Sequence, residues 1–126
     1  MAAIILAMFS EVLLDHFRNP RNAGDLPEAT AKIEVSNPVC GDVLQLAAVF
    51  EDGVVREVRF LCRGCTASIA CASLLTETML GRESRGLRKI TAESLSETLG
   101  GLPEASFHAA QLARDALKAL LRAARG

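Results

Sequence analysis

Apolar residues recur along this chain with two different periods, and the change from one to the other comes near Gly64. Before it, "TAKIEVS" alternates Ile33 and Val35 with Lys32 and Glu34, and "DVLQLAAVF" and "VVREVRFLC" are two further short runs of strand character. The "EDG" between the last two signals a hairpin, with Gly53 supplying a positive φ. Three such strands in series predict an antiparallel meander. After Gly64 the helical period takes over. "TASIACASLLTETML" places Ile69, Ala72, Leu75 (or Leu74) and Met79 near one face, with Thr66 or Ser68 as its start and Gly81 as its C-cap. "TAESLSETL" is a short helix capped by Thr91, "GGLPE" breaks the chain, and "SFHAAQLARDALKALLRAARG" is the strongest helix. Its apolar stripe is Phe107, Ala110, Leu117, Leu120 and Leu121. Ahead of the strands, "MFSEVLLDHFRNPRNAG" reads as a helix with Ser10 as N-cap, apolar at 9, 12, 13 and 17, and ended by Asn19-Pro20. The pattern predicts an α+β fold: a small three-stranded antiparallel sheet with helices packed on one face.

At 126 residues the chain is expected to be one domain, residues 1–126, large enough to bury a core without disulfides. A formal net charge of -1 argues against a general nucleic-acid surface. The apolar "MAAIILAMF" is too short for a membrane span and lacks a basic leader. It reads as the start of an amphipathic helix rather than a signal peptide. The expected compartment is therefore cytoplasmic, where cysteines stay reduced and clusters of them point to metal or catalysis.

Three of the four cysteines, Cys62, Cys65 and Cys71, fall in "RFLCRGCTASIACAS", and Cys40 stands alone in "NPVCGD". Pro38 and Gly41 mark a turn around Cys40, and Asp42 follows two residues on. From this motif alone, a ligand pair and a turn with an incidental cysteine are equally good readings. Cys65 follows Gly64 and precedes a helix, whose N-terminal N–H groups favour a thiolate. The "CRGC" spacing also fits a thioredoxin-type redox pair, but that motif belongs to a parallel βαβ unit and the meander argues against it. Cys71 points about 120° away from Cys65 on the same helix and reads as a small buried hydrophobe. Cys62 ends a strand and is a candidate auxiliary ligand or sulfur acceptor. His16 reads as a surface or partly packed residue. His108, in the first turn of the last helix, would be structural on its own. Beside Cys40, Asp42 and Cys65 it completes a nitrogen, oxygen and sulfur set suited to a tetrahedral metal.

Four segments, "DHFRNPRNAG", "NPVCGD", "GCTASIACASLLTE" and "LPEASFHAAQLARDALKA", appear in the order and spacing of the IscU/NifU-type iron–sulfur cluster assembly scaffolds, which the chain resembles from Met8 to Ala123. The resemblance implies a compact α+β fold and a transient [2Fe–2S] cluster at one exposed end, with zinc possible at the same ligands. It implies a cysteine desulfurase as sulfur source and apo iron–sulfur proteins as acceptors. Cys40, Asp42, Cys65 and His108 match the family's ligand positions. The family's third cysteine falls at Ala109, so the set is one thiolate short, which puts de novo cluster building in question. "LPEAS" departs from the "LPPVK" that specialised chaperones grip, which puts that partnership in question too.

The leading functional reading is a non-enzymatic scaffold or carrier holding a labile cluster or zinc. Its alternatives are a persulfide sulfur-relay protein using Cys65 or Cys62, and a zinc-bound homologue that has lost assembly activity. No nucleic-acid or membrane partner is expected.

Overall fold

The computed structural model describes residues 8–39 and 41–125. Cys40 and most of "MAAIILAMF" lie outside the described residues, so the helical reading of that segment is testable only at Met8 and Phe9. Those two form a turn and a bend, and helix α1 begins at Glu11 and runs to Arg18. Ser10 caps it as expected: its Oγ accepts the Leu13 N–H at 3.0 Å, and its hydroxyl donates to the Leu99 carbonyl. The apolar face differs from the sequence reading. Val12 is exposed, whereas Leu13 and Leu14 are buried. Both stripes satisfy a helical period, and packing on a neighbouring helix selects between them.

Strands β1 (Ala31–Ser36), β2 (Val43–Glu51) and β3 (Val54–Arg63) form the antiparallel meander in that order. Glu51 pairs with Val54 across a two-residue turn in which both Asp52 (φ 54°) and Gly53 (φ 77°) are left-handed. That is the type I′ geometry whose twist matches the flanking strands. Farther along, Val49 faces Glu57 while Phe50 faces Val55, so Arg56 is an extra residue on β3. This bulge resets the alternation and lets Val55 and Val58, three apart, both point into the core.

Helix α2 (Thr66–Met79) lies against β3, and helix α5 (His108–Arg125) lies across β1 and β2 on the same face. Between them come the short helices α3 (Ser84–Leu87) and α4 (Ala92–Thr98), and a 3-10 turn at Glu104–Ser106. Thr91 caps α4 through a reciprocal box with Ser94. The sequence pattern does not mark α3. Leu44, Leu46 and Ala48 of β2 and Val58 and Phe60 of β3 meet Leu75 and Met79 of α2 and Leu117 and Leu120 of α5 in one buried cluster. Among the described residues, no helix is long and apolar enough to cross a membrane.

α2 departs from the one-face expectation. Ala67, Ala70, Cys71, Ala72, Ser73, Leu74 and Thr76 are buried around almost its whole circumference. It is enclosed by β3, α1 and α5, and its small side chains permit the close approach. Two of its hydroxyls hold the loop that follows α1. The Arg21 N–H donates to Ser73 Oγ at 2.8 Å, and Thr76 Oγ1 donates to the Arg21 carbonyl at 3.1 Å. The loop then runs beside β3, where the Phe60 N–H donates to the Asn22 carbonyl and the Gly24 N–H to the Phe60 carbonyl, both at 2.9 Å. The β3 edge of the sheet is thereby covered at Phe60.

His16 is corrected by this arrangement. It is buried, with Nδ1 2.8 Å from Ser73 Oγ, and Nε2 lies 3.8 Å from Glu77. Burial pushes its pKa below the ordinary value; the Arg21 charge adds to this, and Glu77 and Asp15 oppose it. The unfolded chain therefore binds the proton more readily than the native one, so stability is lost as pH falls through about 6.5. Urea unfolding between about pH 7.5 and pH 5 should show this loss. His16→Gln should flatten the pH dependence while costing about 1 kcal/mol at neutral pH. A slope unchanged in His16→Gln would show that other groups carry it.

Candidate metal centre

The site forms where three chain segments end together. β1 stops at Ser36 and the chain turns back into β2: the Asn37 N–H donates to the Asp42 carbonyl at 2.9 Å, and the Val39 N–H to Asn37 Oδ1 at 2.9 Å. This sets Asp42 at the foot of β2. β3 ends beside it, and Gly64 carries the chain into α2. The helix begins at Thr66, one of its two expected starts, and Cys65 is its N-cap residue, with extended backbone (φ -74°, ψ 170°) and no cap bond from its side chain. His108, the first residue of α5, arrives from the third direction.

Asp42 is buried, yet it is a carboxylate. Ser68 donates to its Oδ2 at 2.5 Å, and the Cys65 N–H makes a longer bond of 3.4 Å to the same oxygen. The carboxylate thus sits at the N-terminus of α2, where the helix dipole and free N–H groups favour negative charge. Ser68 Oγ also lies 3.4 Å from Cys65 Sγ, so one hydroxyl touches both groups. Gly64 is required by this packing. A Cβ there would stand 2.8 Å from Asp42 Cγ and 2.9 Å from Oδ2.

His108 Nδ1 lies 3.1 Å from the Ala105 carbonyl. A carbonyl can only accept, so Nδ1 carries the hydrogen and the lone pair is left on Nε2. The 3-10 turn thereby fixes both the ring and its tautomer. One donor atom from each of Asp42, Cys65 and His108 lies within 4.8 Å of the others. Asp42 is buried, His108 half-buried and Cys65 exposed, around a cavity of about 350 Å³ with Phe9 at its wall. Oxygen, nitrogen and sulfur are all donor types that zinc accepts, and these three gather at one end of the fold.

Of the residues singled out in sequence, Cys40 lies outside the described residues. Cys71 is fully buried, and burial pushes its thiol up to about 12, as suits a packing residue. Cys62 sits at the end of β3 on the core side, half-buried, and is not one of the donors within 4.8 Å. Burial first, and then the charges of Asp42 and Cys65, push its thiol up to about 12. Ala109 is 1% exposed, and its methyl packs into the core. In the sequence Ser68 stands out only as a possible helix start. Its spacing of three from Cys65, at the opening of a helix, is the signal that would have placed it here.

The comparisons with known proteins agree with this architecture. Residues 8–124 match the NifU-like N terminal domain, and the chain belongs to that family. It is 40% identical over 111 residues to the iron–sulfur cluster assembly scaffold protein IscU 1 of Archaeoglobus fulgidus, covering 88% of this chain and 72% of that one. It is 37% identical over 118 residues to IscU of Azotobacter vinelandii, covering 90% and 91%. The crystal structure of a nitrogen-fixing NifU-like protein (N-terminal) from Brucella abortus superposes with a TM-score of 0.77 at 20% identity, covering 97% of each chain, and shares the fold.

Gly64→Ala should destabilise the protein by about 1–3 kcal/mol, because the new methyl must displace the Asp42 side chain. In an Asp42→Gly background the cost should shrink, giving a coupling of at least about 0.5 kcal/mol in a double-mutant cycle. Additive costs would place the strain elsewhere.

Proposed function

We propose that this chain is a single-domain, non-enzymatic iron–sulfur cluster assembly scaffold or carrier, acting in the cytoplasm. It holds a labile cluster as cargo and passes it to apo acceptor proteins. The observation that supports this most directly is the convergence of Asp42, Cys65 and His108 donors within 4.8 Å at one accessible end of the fold, although the first and last are far apart in sequence. With Cys40 they form the proposed ligand set. A cysteine desulfurase is the proposed sulfur source, in keeping with relatives named as cluster assembly scaffolds.

The chemistry of the donors says how the cargo is held. Thiolates bind iron–sulfur clusters best, and carboxylate or imidazole substitution weakens the hold. A set with two sulfurs, one oxygen and one nitrogen, and with Ala109 offering none, binds a [2Fe–2S] cluster loosely and releases it readily. The same set suits zinc, which accepts all three donor types. A sulfur relay through Cys62 is disfavoured, because the thiolate is the nucleophile and its thiol is pushed up to about 12.

Anaerobic reconstitution with ferrous iron and sulfide, followed by metal and sulfide analysis, tests the reading. A coloured protein with equal iron and acid-labile sulfide supports it. In a separate incubation with a cysteine desulfurase and cysteine, which supply sulfane sulfur, a mass gain of one sulfur without iron would favour the relay. Tight colourless zinc in the protein as purified, with no cluster formed on reconstitution, would favour a homologue that has lost assembly. Cys65→Ala should abolish cobalt(II) or zinc uptake and Cys62→Ala should leave it intact. Equal damage from both would put Cys62 in the ligand set. Uptake should weaken as the solution is acidified, because imidazole and thiolates must release protons to coordinate.

A further inference from the structure

The far half of α5 carries Arg114, Lys118, Arg122 and Arg125 at spacings of four, four and three, which puts all four on one helical face. Arg88, just past α3, stands across from them, and Leu121 completes the lining of a groove of about 280 Å³. No acidic side chain lines it. Among the described residues, none of the five cations forms an ion pair with a carboxylate. Arg114 Nη1 is moreover buried with no hydrogen-bond partner.

Like charges one helical turn apart repel. The carbonyl end of α5 offsets this for Arg122 and Arg125, but Arg114 and Lys118 lie too far from it. A buried guanidinium nitrogen without an acceptor adds to the cost. The groove is therefore electrostatically incomplete in the isolated chain, in a protein whose formal net charge is -1. A carboxylate-bearing group would complete it, since guanidinium forks pair with carboxylates in two parallel hydrogen bonds.

We propose that this groove docks an acidic segment of a partner protein. Two observations favour that occupant over other anions. The neighbouring groove on the same helix, which shares Arg114, also carries Glu93 and Asp115, so a long, uniformly charged phosphate backbone continuing along α5 would meet negative charge, whereas a short acidic segment can end within the basic groove. The apolar face of α5, including Leu112, Leu117 and Leu120, is buried against the sheet and cannot enter a membrane surface. Arg114 to Arg125 lie roughly 9 to 25 Å along the helix axis from His108, with Lys118, Arg122 and Arg125 beyond about 15 Å. A partner seated there leaves the metal centre uncovered, and the two surfaces can be occupied together.

The test uses the full chain and a fluorescein-labelled, glutamate-rich peptide of about eight residues, followed by anisotropy at about 30 and about 300 mM salt. Binding should appear at low salt and fall steeply at high salt. Arg114→Glu with Lys118→Glu should weaken it by about tenfold or more, while the charge-conserving pair Arg114→Lys with Lys118→Arg retains it. Arg18→Glu with Arg56→Glu changes net charge equally but lies outside the groove, and should alter binding by less than about twofold. Circular dichroism checks that each variant is folded. Absence of binding at low salt, or equal loss in the Arg18/Arg56 variant, overturns the proposal. Tighter binding of an oligothymidylate or of phosphatidylserine vesicles through Arg114 and Lys118 would overturn the choice of an acidic polypeptide.

Discussion

Burial of α2 on nearly every side is the constraint on which the rest of the molecule depends. A helix enclosed by a strand and two other helices has no solvent face to spend on polar side chains, so its neighbours must come close. Ala67, Ala70, Cys71 and Ala72 make that approach possible. Its buried hydroxyls must also find partners, and Ser73 and Thr76 find them in the loop after α1. The same loop then shields the edge of β3. One helix thus fixes the position of α1, the course of the "NPRNAG" segment and the end of the sheet that remains open.

That open end is where the chemistry gathers. α2 points its N-terminus there, and its free N–H groups and Ser68 receive the Asp42 carboxylate. The absence of a side chain at Gly64 lets Asp42 reach this position. Cys65, at the cap, stays exposed because its side chain takes no part in capping the helix. Rigid elements on three sides therefore hold donors that are soft, borderline and hard. This firm positioning is what the proposed cargo-holding role requires.

Much of this was legible in the sequence. Periodicity located the three strands, the hairpin at Asp52-Gly53 and the long helices, because alternation and a helical stripe are local consequences of burying one face. The caps at Ser10 and Thr91 were legible for the same reason. Asp42, Cys65 and His108 were legible as chemistry-bearing residues at element ends, and the ordered motifs placed them in one family. The bulge at Arg56 was not, since it shows only in the pairing of β3 with β2. Nor was the burial of His16, which depends on Ser73 lying 57 residues away.

By itself, the sequence determined the three strands, the longer helices and which residues have the donor atoms for a metal, though not the one-turn helix α3. These properties depend on a residue and its near neighbours. Only the tertiary structure decided which face of α1 turns inward, that α2 is enclosed rather than amphipathic, and that Ser68 holds Asp42. It alone showed that Arg88 joins the stripe on α5 to make an unpaired basic groove. Each of these depends on contacts between elements distant in the chain, and such contacts are set by packing, which no local pattern encodes.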